Sequence, residues 1–211
     1  IYPIFGNADD IDVKCDAIID FSHPSALAGV LKYALKTQTP AVISTTGLSE
    51  EQINSIHLAS SQVPIFFSAN MSIGVSLISE LAKKAASVLG NSFDIEIVEA
   101  HHNKKIDAPS GTALMLANAV SEGLDYTPNY EYNRHAKREK RTKNEIGIHA
   151  IRGGTIVGEH EIIFAGNDEI ITISHSARSK SIFAVGSINA AVFISNKTPG
   201  MYSMKELVAE C

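Results

Sequence analysis

The densest group of side chains suited to acid–base chemistry lies in residues 99–113. This segment contains two adjacent histidines, His101 and His102, and two lysines that follow within four positions, of which Lys105 is the second. A histidine is well suited to act as a general acid near neutral pH, and lysine charges help to hold an anionic substrate. The segment therefore predicts a site where a proton is transferred to a bound anion.

The same segment ends where a helix is predicted to begin. Ser110 is a suitable N-cap residue, so Gly111 and Thr112 fall in the first helical turn, where backbone N–H groups are unpaired and the helix dipole is positive. A glycine in this turn allows close approach of an anion, and we expect a carboxylate or a phosphate to bind there. The combination predicts a carboxylate-binding pocket with proton donors beside it.

Other interpretations of this segment stay open from the residues alone. An Asn-Lys-Lys loop is commonly a solvated turn, and a pair of histidines at a strand end is commonly a surface feature. A zinc site is disfavoured because adjacent histidines point to opposite sides of an extended chain. We therefore predict no metal.

The elements that must position these residues follow from the hydrophobic pattern. In the first third of the chain, three apolar runs at 16–21, 41–45 and 64–68 alternate with helical patterns, which predicts a parallel, doubly wound α/β sheet. Ligands bind beyond the carboxyl ends of the strands in such sheets. Here those ends are polar segments: Phe21-Ser22-His23-Pro24, Ser44-Thr45-Thr46-Gly47 and Ser68-Ala69-Asn70-Met71-Ser72.

The rest of the chain has the pattern of an α+β unit. The predicted elements, in order, are a helix at 73–89, a strand at 94–100, a helix at 111–122, strands at about 145–151, 156–164 and 169–176, and helices at 182–194 and 203–208. We expect the last three strands to follow one another through hairpin turns, because Arg152-Gly153-Gly154 and Gly166-Asn167-Asp168 supply turn residues. The result is a predicted mixed four-stranded sheet.

Composition excludes several classes of protein. At 211 residues, with 45% hydrophobic and 19% charged residues, the chain is neither disordered nor fibrous, and it has no apolar run near the ~20 residues of a membrane span. A net charge of −5 argues against a general nucleic-acid binder, so the basic residues of 134–143 are expected to form a solvated connection. Two cysteines, Cys15 and Cys211, lie far apart in sequence and make no disulfide framework, which fits the cytoplasm.

The motifs of the chain resemble those of the dihydrodipicolinate reductase family. The strongest resemblance is the run Glu99-Ala100-His101-His102, Lys105 and Asp107-Ala108-Pro109-Ser110-Gly111-Thr112-Ala113. Further blocks follow in the order of the family: Asp20-Phe21-Ser22-His23-Pro24, Thr45-Thr46-Gly47, Ala69–Val75, Arg152-Gly153-Gly154, Gly158-Glu159-His160 and Pro199-Gly200-Met201-Tyr202. The resemblance covers nearly all of the chain.

The resemblance implies a reductase of the diaminopimelate route to lysine. It would transfer hydride from NADH or NADPH to a cyclic imine dicarboxylate, giving tetrahydrodipicolinate, with His101 as general acid/base and Lys105 as proton donor. His102, Gly111 and Thr112 would bind the substrate, and the cofactor-binding residues would be Ser44, Thr45, Thr46, Ser68, Ala69, Asn70 and Met71. No metal is implied.

The resemblance also implies a division of the chain and an assembly. Residues 1–72, rejoined by 183–211, would form a Rossmann-like nucleotide-binding domain, and 73–182 a domain for substrate binding and oligomerisation. The enzyme would be a cytoplasmic homotetramer.

Several departures from the family pattern bear on these expectations. No Gly-x-Gly-x-x-Gly occurs, and the family carries its phosphate-binding glycines in an N-terminal strand-turn-helix, so we expect the working enzyme to have such a segment ahead of Ile1. The residue that contacts the ribose 2′ position belongs to the same region, so the sequence does not decide between NAD and NADP as the cofactor. Ser44 stands where many members have Gly, and Lys180 where many have Arg.

The alternative hypothesis is a binding protein that keeps the substrate pocket and has lost the ability to bind a dinucleotide. A hydrolase is not supported, because the sequence has no Gly-x-Ser-x-Gly elbow and no Cys in a catalytic motif.

Overall fold

The computed structural model describes residues 2–210, which form two compact units. Unit 1 is the described part of Ile1–Ile73 together with Ser181–Cys211, and unit 2 is Gly74–Lys180. Cys15 is a free cysteine. Ile1 and the second cysteine, Cys211, lie outside the described residues.

The elements are numbered along the chain. The strands are β1 (Ile18–Asp20), β2 (Ala41–Ile43), β3 (Pro64–Phe67), β4 (Asp94–His101), β5 (Asn129–Glu131), β6 (Glu145–Arg152), β7 (Gly158–Ala165), β8 (Ile170–Ala177) and β9 (Gly200–Tyr202). The helices are α1 (Leu27–Thr37), α2 (Glu50–Ser60), α3 (Ile73–Leu89), α4 (Gly111–Gly123), α5 (Ser181–Ile194) and α6 (Met204–Ala209). In this part of the chain, no helix has the length and apolar character needed to cross a membrane.

Unit 1 contains a parallel sheet in the order β1-β2-β3-β9. Alternate residues of a strand point to opposite faces, so Ile43 packs with α1 and α2, and Val42 packs with α5 and α6. Burial on both faces explains why these strands read as continuous apolar runs, and the predicted parallel, doubly wound sheet is confirmed. β9 was not predicted, because three residues after a Pro-Gly pair give little pattern.

Unit 2 contains a mixed sheet in the order β5-β6-β4-β7-β8. β5, β6 and β4 run parallel to one another, and β7 is antiparallel to both β4 and β8. Helices α3 and α4 cover one face with an apolar core that includes Ile97, Leu116 and Ile162.

Two details of the predicted sheet in unit 2 are wrong. It has five strands rather than four, since the short β5 joins β6 at the edge. β6 and β7 are not hairpin neighbours either, because they lie on opposite sides of β4, and the Gly153 N–H donates to the His101 carbonyl at 2.9 Å. Turn residues such as Arg152-Gly153-Gly154 occur in a connection that passes the end of a neighbouring strand as well as in a hairpin. The predicted hairpin between β7 and β8 is present.

Candidate active site

One face of the sheet in unit 2 changes from apolar to polar along β4. Ile95, Ile97, Glu99 and His101 follow at alternate positions and so lie on the face that α3 and α4 cover. Glu99 has no exposed surface and His101 is 9% exposed. The acidic and basic groups therefore stand at the end of a hydrophobic core, where electrostatic interactions are strong.

The carboxylate of Glu99 is the centre of this polar end. Its Oε2 accepts hydrogen bonds from His101 Nδ1 at 2.6 Å and Arg152 Nη1 at 2.8 Å. Its Oε1 accepts from Arg152 Nη2 at 2.7 Å and from the Ser110 N–H at 2.9 Å. Burial acts to raise the pKa of Glu99, but these hydrogen bonds outweigh it, so the pKa lies below its ordinary value.

Sheet register explains how Arg152 and His160 reach this carboxylate. Arg152 is the partner of His101 across the parallel β4–β6 pair, and His160 is the partner of Glu99 across the antiparallel β4–β7 pair. Residues that pair across strands point to the same face. Three strands thus place Glu99, His101, Arg152 and His160 together, although Arg152 is 53 positions from Glu99 in sequence.

The Glu99 contact fixes which nitrogen of His101 carries a proton. An ionised carboxylate only accepts hydrogen bonds, so His101 Nδ1 is the donor. The other nitrogen, Nε2, lies beside Gly158, where an added Cβ would be 3.1 Å away. Nε2 makes no hydrogen bond within the described residues and is the atom of His101 through which a proton can be exchanged.

His160 is a neutral neighbour of His101. Its ring meets the His101 ring edge to face, with centroids 5.2 Å apart, and its Nε2 shares a hydrogen bond of 3.1 Å with the Ser110 hydroxyl. Burial, with the charge of His101 adding to it, lowers the pKa of His160 to about 4. At neutral pH His160 thus adds no charge next to His101. His175, its cross-strand partner on β8, has a pKa lowered by burial too.

Lys105 lies in the loop between β4 and α4 and is held by a carboxylate. Its Nζ is 2.8 Å from Asp107 Oδ1, and this hydrogen bond lowers the pKa of Asp107. The Asp107 carbonyl accepts a hydrogen bond from Arg152 Nη2 at 2.7 Å. Arg152 therefore links the lysine loop to Glu99. His102, the other predicted histidine, is partly buried, and its Nδ1 has no hydrogen-bond partner within residues 2–210.

Helix α4 begins as predicted, with Ser110 as its N-cap. The Ser110 hydroxyl accepts from the Ala113 N–H at 3.1 Å, which satisfies one of the unpaired donors of the first turn. Gly111 is exposed, and a Cβ there would meet nothing within 4 Å, so the space beside the helix start is open. Thr112 is the next residue of the same turn. The arrangement leaves room for an anion at this helix N-terminus.

The residues predicted to bind a cofactor lie in unit 1, around a cavity of about 240 Å³ beyond the carboxyl ends of β1, β2 and β3. Five of the seven predicted residues line it. The full lining consists of Phe21, Ser22, Ser44, Thr45, Thr46, Ala69, Met71 and Phe183. Four of these side chains are apolar and four carry a hydroxyl group.

The two remaining predicted residues, Ser68 and Asn70, shape the loop that carries Met71. The Ser68 hydroxyl donates to the Asn70 carbonyl at 2.8 Å, and the Asn70 side-chain oxygen accepts from the Ser72 N–H at 2.9 Å. These local turns fix the backbone after β3. Gly186 on α5 touches the loop so closely that a Cβ there would stand 1.7 Å from the Met71 carbonyl oxygen.

The hydroxyls of Ser44 and Thr45 differ in their bonding. Thr45 Oγ1 donates to the buried Asp20 carboxylate at 2.7 Å, whose other oxygen accepts from the Ser22 N–H at 2.9 Å. Ser44 Oγ is buried and has no hydrogen-bond partner within the described chain. A buried hydroxyl without a partner is costly, so this hydroxyl is free to pair with a further polar group in the cavity.

Comparisons with known proteins agree with this geometry. The family model "Dihydrodipicolinate reductase, N-terminus" matches residues 2–71, and "Dihydrodipicolinate reductase, C-terminus" matches residues 74–208. A 4-hydroxy-tetrahydrodipicolinate reductase of Caldanaerobacter subterraneus subsp. tengcongensis is 51% identical over 98% of this chain and 82% of its own length. The corresponding protein of Clostridium tetani is 48% identical over 96% of this chain and 79% of its own length.

A solved structure has the same fold. It is the dipicolinate-bound dihydrodipicolinate reductase from Paenisporosarcina sp. TG-14, which is 25% identical, with a TM-score of 0.73 over 89% of this chain and 71% of that one.

Proposed function

Because the chain belongs to the dihydrodipicolinate reductase family, we propose that it reduces the cyclic imine dicarboxylate 4-hydroxy-tetrahydrodipicolinate, or the dihydrodipicolinate formed from it, to tetrahydrodipicolinate. It is an NAD(P)H-dependent oxidoreductase of the diaminopimelate route to lysine. The observation that carries the assignment is the pairing of His101 with a buried carboxylate beside an open helix start.

We assign substrate binding to the start of α4. Gly111 and Thr112 present the positive end of the helix, and the open space beside Gly111 admits a carboxylate. His102 would contribute its partnerless Nδ1 to the same substrate. The basic side chain of Lys105 adds charge that favours a dianion.

We assign proton transfer to His101 and Lys105. The Nδ1–H group of His101 donates its hydrogen bond to Glu99, and His101 would exchange a proton at Nε2 as general acid/base. Lys105 would serve as a proton donor from its place on Asp107. The fixed positions of both groups lower the entropic cost of reaching the reactive arrangement.

The residues of the cavity in unit 1 fit a nicotinamide dinucleotide. Ser44 Oγ offers a hydrogen bond that the chain itself does not satisfy, Thr45 and Thr46 add polar atoms, and Phe21 and Met71 supply apolar walls for a flat ring. Ser68, Ala69 and Asn70 would shape the loop beside that ring. When bound, the dinucleotide supplies the hydride. We propose NADH or NADPH, without preference between them.

The alternative, a binding protein that has lost the dinucleotide, is not favoured. Relatives at 48–51% identity across nearly the whole chain are reductases by name. The cavity in unit 1 also retains the partnerless Ser44 hydroxyl expected of a ligand site.

We further propose a homotetramer in the cytoplasm. Support comes from the edge strand β8, whose Ile170 and Ile171 are exposed, and from Ile151 on β6, which is exposed as well. Edge strands with apolar side chains commonly pair with another chain. Light scattering after size exclusion gives the mass in solution, and a monomer at micromolar concentration would contradict this assembly.

Reduction of freshly made substrate, followed as oxidation of NADH or NADPH, tests the function. We expect oxidation only when substrate is present, and strong losses of turnover in His101→Gln and Lys105→Ala while the circular dichroism spectrum stays unchanged. The matched control for charge is Lys104→Ala, at the exposed neighbouring position. Full activity in both variants would contradict the assigned roles.

A further inference from the structure

We propose that Glu99 is a positioning residue for the reduction, and that its single buried carboxylate sets both the orientation of His101 and the position of the α4 start. This inference rests on the proposed function. Its basis is the four hydrogen bonds that Glu99 accepts: one from His101, one from the Ser110 N–H and two from Arg152. These donors belong to β4, to the residue that caps α4, and to β6.

The first task of Glu99 is to orient the imidazole. The contact at 2.6 Å holds the ring with Nδ1–H toward the core, so Nε2 points to the other side of the ring. Gly158 leaves this side free, since any larger residue would bring a Cβ to 3.1 Å from Nε2. A carboxylate behind a histidine also stabilises the protonated ring, which a general acid needs before it donates.

The second task is to place the carboxylate-binding turn relative to the acid. Glu99 Oε1 accepts from the backbone N–H of Ser110, the residue immediately before α4. The two oxygens of one side chain thus hold the proton donor and the helix start at a fixed separation. A substrate carboxylate at Gly111 and Thr112 would then meet His101 in one geometry.

Arg152 and His160 make the buried charge tolerable. Arg152 pairs with both oxygens of Glu99 and also holds the Asp107 carbonyl, next to the lysine loop. His160, which stays neutral, adds no second positive charge beside His101. Without the negative charge of Glu99, Arg152 and a protonated His101 would repel each other. The further basic groups near His160 are Lys105 and His175.

The decisive variant is Glu99→Gln, which keeps the shape of the side chain and removes the charge. Glu96→Gln is the matched control, because Glu96 lies on the opposite face of the same strand and binds His149 and Arg141. The full 211-residue chain, labelled at histidine, is followed by NMR during addition of pyridine-2,6-dicarboxylate. We expect Glu99→Gln to shift the ring resonances of His101, because the hydrogen bond at Nδ1 changes, and to weaken dicarboxylate binding about tenfold. Glu96→Gln should change neither.

The kinetic readout separates positioning from folding. We expect kcat of Glu99→Gln to fall about 100-fold while KM for the dinucleotide stays unchanged. Glu99→Asp, which keeps the charge and shortens the reach, should recover the arginine pair and the folded state but not full kcat. It is the second variant should Glu99→Gln not fold.

Failure of the role proposed for Glu99 and failure of the proposed function give different results. If the folded variants show unchanged His101 ring resonances and unchanged kcat, Glu99 is not a positioning residue. If the unaltered chain binds neither pyridine-2,6-dicarboxylate nor a nicotinamide dinucleotide, the proposed function fails, while the ring resonances of His101 still report on its contact with Glu99.

Discussion

The two polar regions of this molecule differ in the charge of the groups that form them. In unit 2, the buried Glu99 carboxylate accepts four hydrogen bonds, three of them from the basic side chains of Arg152 and His101. Arg152 Nε and His160 Nδ1 in the same region have no partner among residues 2–210. In unit 1, Thr45 is paired with Asp20, but its neighbour Ser44 carries a buried hydroxyl with no partner among residues 2–210. Neutral hydroxyls and apolar walls, rather than ions, line that cavity.

This difference fits the chemistry assigned to each region. A proton donor must be oriented before the substrate arrives, so its supporting groups are fixed within the fold. A cavity proposed to take the ring of a cofactor does not need a charge of its own, and under that proposal the ligand would complete the hydrogen bond that Ser44 leaves unmade. Variants in unit 2 should therefore act through buried charge, and variants in unit 1 through the shape of the loop after β3 and through single hydroxyl groups.

The largest effect is expected from Arg152→Met, which leaves the buried Glu99 carboxylate without its counter-ion. Removing one partner of a buried ion pair costs about 3–5 kcal/mol of the free energy of unfolding. Urea denaturation at neutral pH measures this loss. The double variant Glu99→Gln/Arg152→Met should recover part of it, because no unpaired charge remains. A double variant no more stable than Arg152→Met would show that packing of the arginine stem, not its charge, is responsible.

In unit 1, the sharpest steric test is Gly186→Ala. The new Cβ would stand 1.7 Å from the Met71 carbonyl oxygen, so α5 or the loop that follows β3 must move. We expect a loss of about 3 kcal/mol in the free energy of unfolding, together with weaker dinucleotide binding. Gly29→Ala is the control, since a Cβ at Gly29 on α1 meets nothing within 4 Å and should stabilise the helix by about 0.5–1 kcal/mol. Equal stability of both variants would contradict the close packing of α5 on the loop.

These contrasts also show which parts of the molecule the sequence could predict. The parallel sheet of unit 1 followed from apolar runs and helical spacing, and Ser110 followed from cap chemistry, because both signals are local. The Glu99–Arg152 pair did not follow, since it depends on the register of β6 against β4 across 53 positions. The period of β4 does place Glu99 on the face of His101, which was the available signal. The order of β6 and β7 was missed because turn residues do not say which strand a chain returns to.

A pH titration of stability tests the neutral state of His160. Its pKa in the folded chain, about 4, lies below that of a free histidine near 6.5, so the unfolded chain binds the extra proton between these values. The contribution of neutral His160 to the free energy of unfolding is present above about pH 6.5 and is lost as pH decreases toward 4. The expected loss between pH 6.5 and 5 is about 2 kcal/mol. His160→Gln should flatten this slope, whereas His57→Gln, at an exposed position of α2, should retain it. An unchanged slope in His160→Gln would assign the effect to other groups, of which the partly buried His175 is the first to test.

The smallest effects separate two adjacent hydroxyls in unit 1. Thr45→Val removes the donor that Asp20 Oδ2 receives and should cost about 1–2 kcal/mol of the free energy of unfolding, because a buried carboxylate oxygen loses its partner. Ser44→Ala removes a hydroxyl that has no partner and should change stability by no more than about 0.5 kcal/mol. The same Ser44→Ala variant should weaken dinucleotide binding about fivefold, measured by NADH fluorescence, if the ligand completes that bond. Unchanged affinity would mean that the Ser44 hydroxyl is unsatisfied for a reason unrelated to the cofactor.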